Sequence, residues 1–298
     1  MSYKIAVVSG KGGTGKTTVS LSLFHYFQKR LGASVHLVDC DVEEPNDALF
    51  FTNKKLIKTL PIHQEAPEID NSLCTFCKKC SNTCAFNAIT VIPAVKYTKT
   101  DYSLCHSCGA CKIICNENAI QLQKKIIGTI NHYNISGNGY LSEGVLNIGS
   151  AMQTMLIKAL KHNIPQKNDI IIYDSRPGTS CAATQTLLNI DMAIVVAEPT
   201  PFGVHDMKLT LNLINELKID YGIIINKSGL GNNEIYKVIR DYKAETYGSI
   251  PFNKEYASAY ASSGFLKGET PGSIETCYNE IIDNINKKML VHEGSNHT

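Results

Sequence analysis

The stretch Gly10-Lys11-Gly12-Gly13-Thr14-Gly15-Lys16-Thr17 constrains this 298-residue chain more than any other feature. It fits G-x-x-x-x-G-K-[ST], and its surroundings restrict it further. Before it, "KIAVVS" (4–9) is an apolar, β-branched run of the kind found in buried strands. After it, "KTTVSLSLFHYFQKR" (16–30) carries apolar residues at Val19, Leu21, Leu23, Phe24 and Phe27, which is helical spacing. A glycine loop between a strand and a helix lets backbone N–H groups curl around a phosphate, and the helix N-terminus favours the anion. Residues Gly10 to Thr18 are therefore the predicted nucleotide-phosphate cradle. Within it, Lys16 is expected to reach the β- and γ-phosphates and Thr17 to ligate Mg²⁺. Such a loop needs one lysine; Lys11 is a second.

"SVHLVDCD" (34–41) follows as another strand, so a βαβ unit occupies the start of the chain and implies a parallel sheet. Continuous apolar strands are predicted at 169–175, 192–198 and 221–226, with a short last one at 247–251. Helices are predicted at 150–162, 180–189, 205–217, 232–245, 253–262 and 271–289, and a hairpin over 126–149. The rhythm stops between about His63 and Lys125, where the chain is Cys-rich with short hairpin-like pieces. The expected organisation is an α/β domain, with a mostly parallel central sheet flanked by helices, built from residues 1–62 and 126–298. A small α+β module, 63–125, is inserted into it.

Eight of the eleven cysteines lie between 74 and 115. Cys74-x2-Cys77-x2-Cys80-x3-Cys84 recurs further along as Cys105-x2-Cys108-x2-Cys111-x3-Cys115, and "NAI" recurs at the same offset. This is an internal duplication. The run C-x2-C-x2-C-x3-C resembles that of bacterial ferredoxins, whose fourth cysteine ligates the other of two [4Fe–4S] clusters. The resemblance implies one cluster on Cys74, Cys77, Cys80 and Cys115, and a second on Cys105, Cys108, Cys111 and Cys84. The usual proline after the fourth cysteine is replaced by Ala85 and Asn116. Two zinc sites are the alternative, but zinc sites use paired C-x2-C units and leave the x3 cysteine without a role. Of the other cysteines, Cys277 shares helical spacing with Ile274, Ile281 and Ile285 and reads as core. Cys40 reads as a small buried residue and Cys181 as structural.

The formal net charge of +2 gives no general reason to expect nucleic acid. No apolar run is long enough to cross a bilayer, and the final helix ends in polar "VHEGSNHT", so no membrane association is expected. The N-terminus lacks a small-residue cleavage site, and a cytoplasmic protein is expected.

Lys11 gives the loop a resemblance to the deviant Walker A ATPases, the MinD/ParA/Mrp group that also includes the nitrogenase iron protein. That resemblance implies an ATP-sandwich homodimer in which Lys11 reaches the partner's nucleotide. "LVDCDVEEPN" (37–46) is similar to the group's switch I, implying that Asp41 orients the attacking water and that Asp39 stands nearer the metal shell. "IIYDSRPGTS" (171–180) resembles Walker B with switch II, implying Asp174 near Mg²⁺ and Gly178 as the moving element. Arg176 stands where many relatives have proline. Asn226, in "IIINKSG", matches the residue that reads adenine, and "IPFNKEYASAYASSG" (250–264) matches the segment that closes the adenine pocket. A cluster bridging two subunits is not expected, because no cysteine between 116 and 180 accompanies Cys181 and the Mrp-type C-terminal C-x-x-C is absent. Three readings follow: an ATPase that gates electron transfer to a redox partner, an ATPase that delivers clusters to an accepting protein, or a MinD/ParA-like positioning switch with structural or sensory clusters.

Overall fold

The computed structural model describes residues 2–135, 137–164, 168–262, 264–267 and 270–295. A nine-stranded sheet forms its centre. Seven strands are mutually parallel: β1 (Tyr3–Val8), β2 (Val35–Asp39), β7 (Gly139–Leu146), β8 (Ile170–Asp174), β9 (Met192–Ala197), β10 (Tyr221–Ser228) and β11 (Glu245–Pro251). Two long strands, β3 (Lys55–Ile69) and β6 (Ile120–Asn134), add antiparallel at one edge. The order is β11-β10-β9-β1-β8-β2-β7-β6-β3.

Both faces of the parallel part are covered, which is why its strands read as unbroken apolar runs. Ile5 and Val7 of β1 point into one core, with α1 (Lys16–Leu31), α8 (Lys254–Ala261) and α9 (Gly272–Ser295). Ala6 and Val8 point into the other, with α4 (Gln153–His162), α5 (Cys181–Leu187), α6 (Pro201–Glu216) and α7 (Glu234–Asp241). This alternation is the two-residue period of a strand with two buried sides. The predicted helix at 205–217 starts earlier, at Pro201, because the Thr200 hydroxyl accepts the Gly203 N–H and proline suits the first turn. Among the described residues no helix is long and apolar enough to cross a membrane.

Strand β3 is not among the predicted elements. Positions 63 and 125, expected as the edges of the insert, both fall inside paired strands, with His63 opposite Ile126 and Gln64 opposite Lys125. β6 pairs with β7 only from Gly128 to Asn134. Residues 120–127 and their β3 partners therefore form a ribbon that leaves the sheet edge, about 25 Å long at about 3.3 Å per residue. The ribbon carries α2 (Lys79–Thr83), α3 (Ala110–Ile113) and a small antiparallel pair, β4 (Ile89–Ile92) with β5 (Tyr97–Thr100).

Candidate functional site

The loop joining β1 to α1 borders a cavity of about 400 Å³. Gly13 and Gly15 stand at φ +81° and +90°, left-handed backbone that glycine adopts without steric cost. Gly10 is required for a different reason: a Cβ there would run into the backbone carbonyl of Asp206 on α6. Every residue from Lys11 to Thr18 lines the cavity, with Asp41 and Asn226. The Thr14 hydroxyl is buried without a protein partner, the state of a loop shaped for a ligand that the chain itself does not supply.

Asp174, at the end of β8, gathers the loop's polar groups. Lys16 Nζ donates to Asp174 Oδ1 at 2.7 Å, the Thr17 hydroxyl to Oδ2 at 2.8 Å, and the Ser20 hydroxyl to Oδ1 at 2.7 Å. Burial alone would lower the Lys16 pKa, but Asp174, with Asp47 and Asp39 behind it, outweighs it and the ammonium is held above its usual range. Thr17 and Asp174 thus stand together, an oxygen donor pair that fits Mg²⁺.

Asp39 behaves differently. It is register partner to Asp174, and its carboxylate accepts the backbone N–H groups of Asp41 (3.0 Å), Asn46 (2.8 Å) and Asp47 (3.0 Å). Asp39 thus staples the loop after β2 while standing in register beside Asp174, where the metal shell was expected. Burial, and then the nearby Asp174 charge, push its pKa upward. Asp41, held by this staple, is half-exposed on the cavity wall. Burial raises its pKa and the Arg176 charge opposes the rise.

Lys11 is anchored within its own chain, 2.7 Å from Glu198 Oε1. Lys227 Nζ meets Glu198 Oε2 at 3.0 Å and the Gly13 carbonyl at 2.6 Å. Neither Glu198 nor Lys227 was assigned a role from sequence. Their one signal was position, at strand ends in "EPTPFGVHD" and "IIINKSG". The Asn226 side-chain amide donates to the Thr14 carbonyl at 2.7 Å, so it braces the phosphate loop as well as lining the cavity. The Gly178 N–H bonds the Ser9 carbonyl at 2.8 Å, with Gly178 itself at φ +89°. Arg176 pairs with Glu43 at 2.7 Å and bonds the Gln153 side chain, tying the loops after β2 and β8 to the start of α4.

In the insert the duplication extends to the backbone. Phe76 and Ser107, Lys78 and Gly109, and Asn87 and Asn118 are matched pairs at the offset that separates the two cysteine runs, and all six have positive φ. Asp70 accepts from Ser72 as Asp101 accepts from Ser103. Ile69 pairs with Ile120, and their counterparts, Thr100 and Ile89, pair with each other. The two halves are thus related by an approximate two-fold. Between them lie two cavities, of about 70 Å³ and about 20 Å³. Cys74, Cys77, Cys80 and Cys115 line the first; Cys84, Cys105, Cys108 and Cys111 line the second. Each takes three sulfurs from one run and one from the other. Cys74 Sγ accepts the Phe76 N–H at 3.4 Å, and Cys84 Sγ the Ala88 N–H at 3.3 Å. Among the described residues no three His, Cys, Asp or Glu side chains converge closely enough for a single metal ion. Sulfurs spread around a cavity fit a multi-iron cluster better than one zinc. Outside the insert Cys40 is buried and Cys277 half-buried, while Cys181, expected to be structural, is exposed at the start of α5.

A run of backbone hydrogen bonds joins the two regions. The Leu146 N–H donates to the Val42 carbonyl, beside Asp41, at 2.8 Å. Next along, Asn147 donates from its N–H to the Ile127 carbonyl (2.8 Å) and from its side chain to the Ile126 carbonyl (3.0 Å). From there β6 runs unbroken to Ile120 and the cysteine cavities.

A family model for the CobQ/CobB/MinD/ParA nucleotide binding domain matches residues 5–264. An uncharacterized protein of Methanocaldococcus jannaschii is 33% identical over 265 residues, 88% of this chain and 91% of its own length. An iron-sulfur cluster carrier protein of Pyrococcus furiosus is 49% identical over 49 residues, 16% of each chain. Among solved structures, the septum site-determining protein MinD complexed with Mg-ADP, from Pyrococcus horikoshii, superposes with a TM-score of 0.59 at 19% identity, covering 98% of this chain and 99% of that one. At that identity the likeness is one of fold.

Proposed function

This chain belongs to the CobQ/CobB/MinD/ParA nucleotide-binding family, and on that premise we propose that it is a dimeric ATPase whose nucleotide state governs one-electron transfer through two [4Fe–4S] clusters to a partner protein. The ATPase chemistry follows from the loop. Lys16 and the loop backbone hold the phosphates, and Thr17 and Asp174 would hold Mg²⁺, which neutralises charge on the transferred group. Asp41 orients the attacking water. Lys11 leaves Glu198 and serves the nucleotide of the second subunit. Asn226, Phe252 and Tyr256 form the wall at the adenine end.

One observation carries the coupling: the bond run from Val42 through Leu146 and Asn147 into β6. A loop that responds to the γ-phosphate is bonded to the strand that supports the cysteine cavities. Those cavities fit the clusters by sulfur count, N–H donors and spacing, and bound clusters supply one-electron carriage. The test is anaerobic EPR of the dithionite-reduced protein with and without Mg-ATP. Nucleotide-dependent cluster signals are expected; signals indifferent to nucleotide would leave the clusters a structural role and sink the coupling.

A second reading, cluster delivery, draws on the short match to an iron-sulfur cluster carrier protein. It requires that ⁵⁵Fe pass from this protein to an apo-acceptor, which electron transfer alone would not produce.

A further inference from the structure

The duplication contains its own control, because matched positions share backbone and differ in side chain. Helices α2 and α3 begin at the matched positions 79 and 110, after left-handed residues at 78 and 109. The second repeat places Gly109 and Ala110 there; the first places Lys78 and Lys79. Left-handed backbone favours glycine, so nothing in the fold rewards a lysine at 78. Both lysines are exposed at the mouth of the first cavity, beside the exposed Cys77.

Cys77 and its counterpart Cys108 are both exposed, so the two cavities differ in what borders them and not in whether they reach solvent. Phe86 stacks on His106 at 3.8 Å and 13°, and both rings line the second cavity. Their counterparts at the first cavity are Glu117 and Thr75, which put no ring pair there. Charge follows the same division: Lys78 and Lys79 against Glu117 at the first, Glu65 and His106 at the second. Position does too. The second cavity takes Glu65, Pro67 and Leu122 from the ribbon, nearer the ATPase sheet, while the first takes Ile69 and Ile120 from its far end.

We propose that electrons enter or leave through the Cys74/Cys77/Cys80/Cys115 site alone, at a docking surface formed by Lys78 and Lys79, and that the partner is an acidic-faced one-electron carrier protein. The second site, bordered by the ring pair and nearer the ATPase sheet, is the inner member of the pair. This rests on the reading that the insert carries two [4Fe–4S] clusters. With flavodoxin hydroquinone as donor, the anionic flavin gives up one electron and becomes the neutral semiquinone, and the first cluster goes from its 2+ to its 1+ state. No proton moves.

The test compares the wild-type protein with K78G/K79A, which installs the side chains of the other repeat, and with A110K, which adds a lysine at the inner site. Binding of oxidised flavodoxin is measured by calorimetry against ionic strength, and reduction by flavodoxin hydroquinone by stopped flow. In K78G/K79A the low-salt association rate is expected to fall about tenfold and the salt dependence to flatten, while A110K changes neither. Iron content and ATP hydrolysis stay at wild-type values. Unchanged binding and salt dependence in K78G/K79A, with both clusters present by EPR, would overturn the port alone. Absence of two reduced-cluster signals in the anaerobically prepared wild-type protein would overturn the electron-transfer reading and the port with it.

Discussion

At the nucleotide loop the charged side chains are paired with one another, Lys16 with Asp174 and Lys11 with Glu198, whereas in the insert eight thiols border two cavities with little more than backbone N–H groups for partners. The cores differ in the same way. Two large apolar layers hold the sheet, drawing on nearly every strand and long helix. The insert has Ile89, Val91, Ile120 and Cys111 in one small cluster and Ala66, Ala88 and Cys105 in another. A segment of about fifty residues with so little apolar burial does not ordinarily fold alone. One region is held by its own core; the other, on the proposed reading, depends on the clusters its thiols would hold.

Removal of the clusters tests that contrast most severely. After anaerobic extraction of iron and sulfide, hydrogen exchange followed by mass spectrometry should show residues 70–119 losing protection completely, while β1, β8 and β9 keep theirs. Retained protection across 70–119 in the iron-free protein would break the comparison, since the insert would then be folded by its chain alone.

The paired region makes the opposite prediction. Lys16→Ala leaves the buried Asp174 carboxylate without its ammonium, and the chain should lose about 3–5 kcal/mol of stability along with nucleotide binding. Lys11→Ala should cost well under about 1 kcal/mol, because the pair is partly exposed and Glu198 keeps Lys227. It should nevertheless abolish nucleotide-driven dimerisation and hydrolysis while ATP still binds. Denaturant titration, size-exclusion chromatography and phosphate release read these out. A Lys11→Ala protein that still dimerises with ATP would remove the lysine's role in trans.

The parallel sheet and the phosphate loop were legible in the sequence because each is local: apolar runs buried on both faces, and glycines where the backbone turns left-handed. The long strand β3 and the first part of β6, ahead of the predicted hairpin over 126–149, were not. Their exposed stretches alternate weakly, and "KLIKTLPIHQEAPEI" includes two prolines that argue against an interior strand but suit this edge. The Asp39 staple was illegible for another reason. A carboxylate at the end of β2 carries no local sign that it also gathers the backbone N–H groups of 41, 46 and 47. Glu198 needed the fold as well, since most of the parallel sheet lies between it and Lys11 in the chain, and only the closed sheet brings the two together.

The joint between the two regions is polar and buried, and it gives the smallest effect. Ser142 on β7 bonds His36 Nε2 at 2.7 Å and His132 Nδ1 at 2.6 Å, and Asn168 meets His36 Nδ1 at 3.1 Å. Burial, then the neighbouring His132, depress the His36 pKa to about 3. A histidine kept neutral in the native state stabilises fully above its unfolded value of about 6.5, and loses that contribution as pH falls below it, because the unfolded chain takes a proton the native one refuses. At pH 5.5 this should remove about 1.4 kcal/mol relative to neutral pH. His132, also depressed, acts in the same direction, so the useful measurement is a difference. Urea unfolding of the wild-type protein and of His36→Gln, at pH 7.5 and pH 5.5, should show the variant less pH-sensitive by about that amount. Equal sensitivity in the two proteins would mean that His36 is not held neutral, and that the pH dependence of this joint belongs to His132.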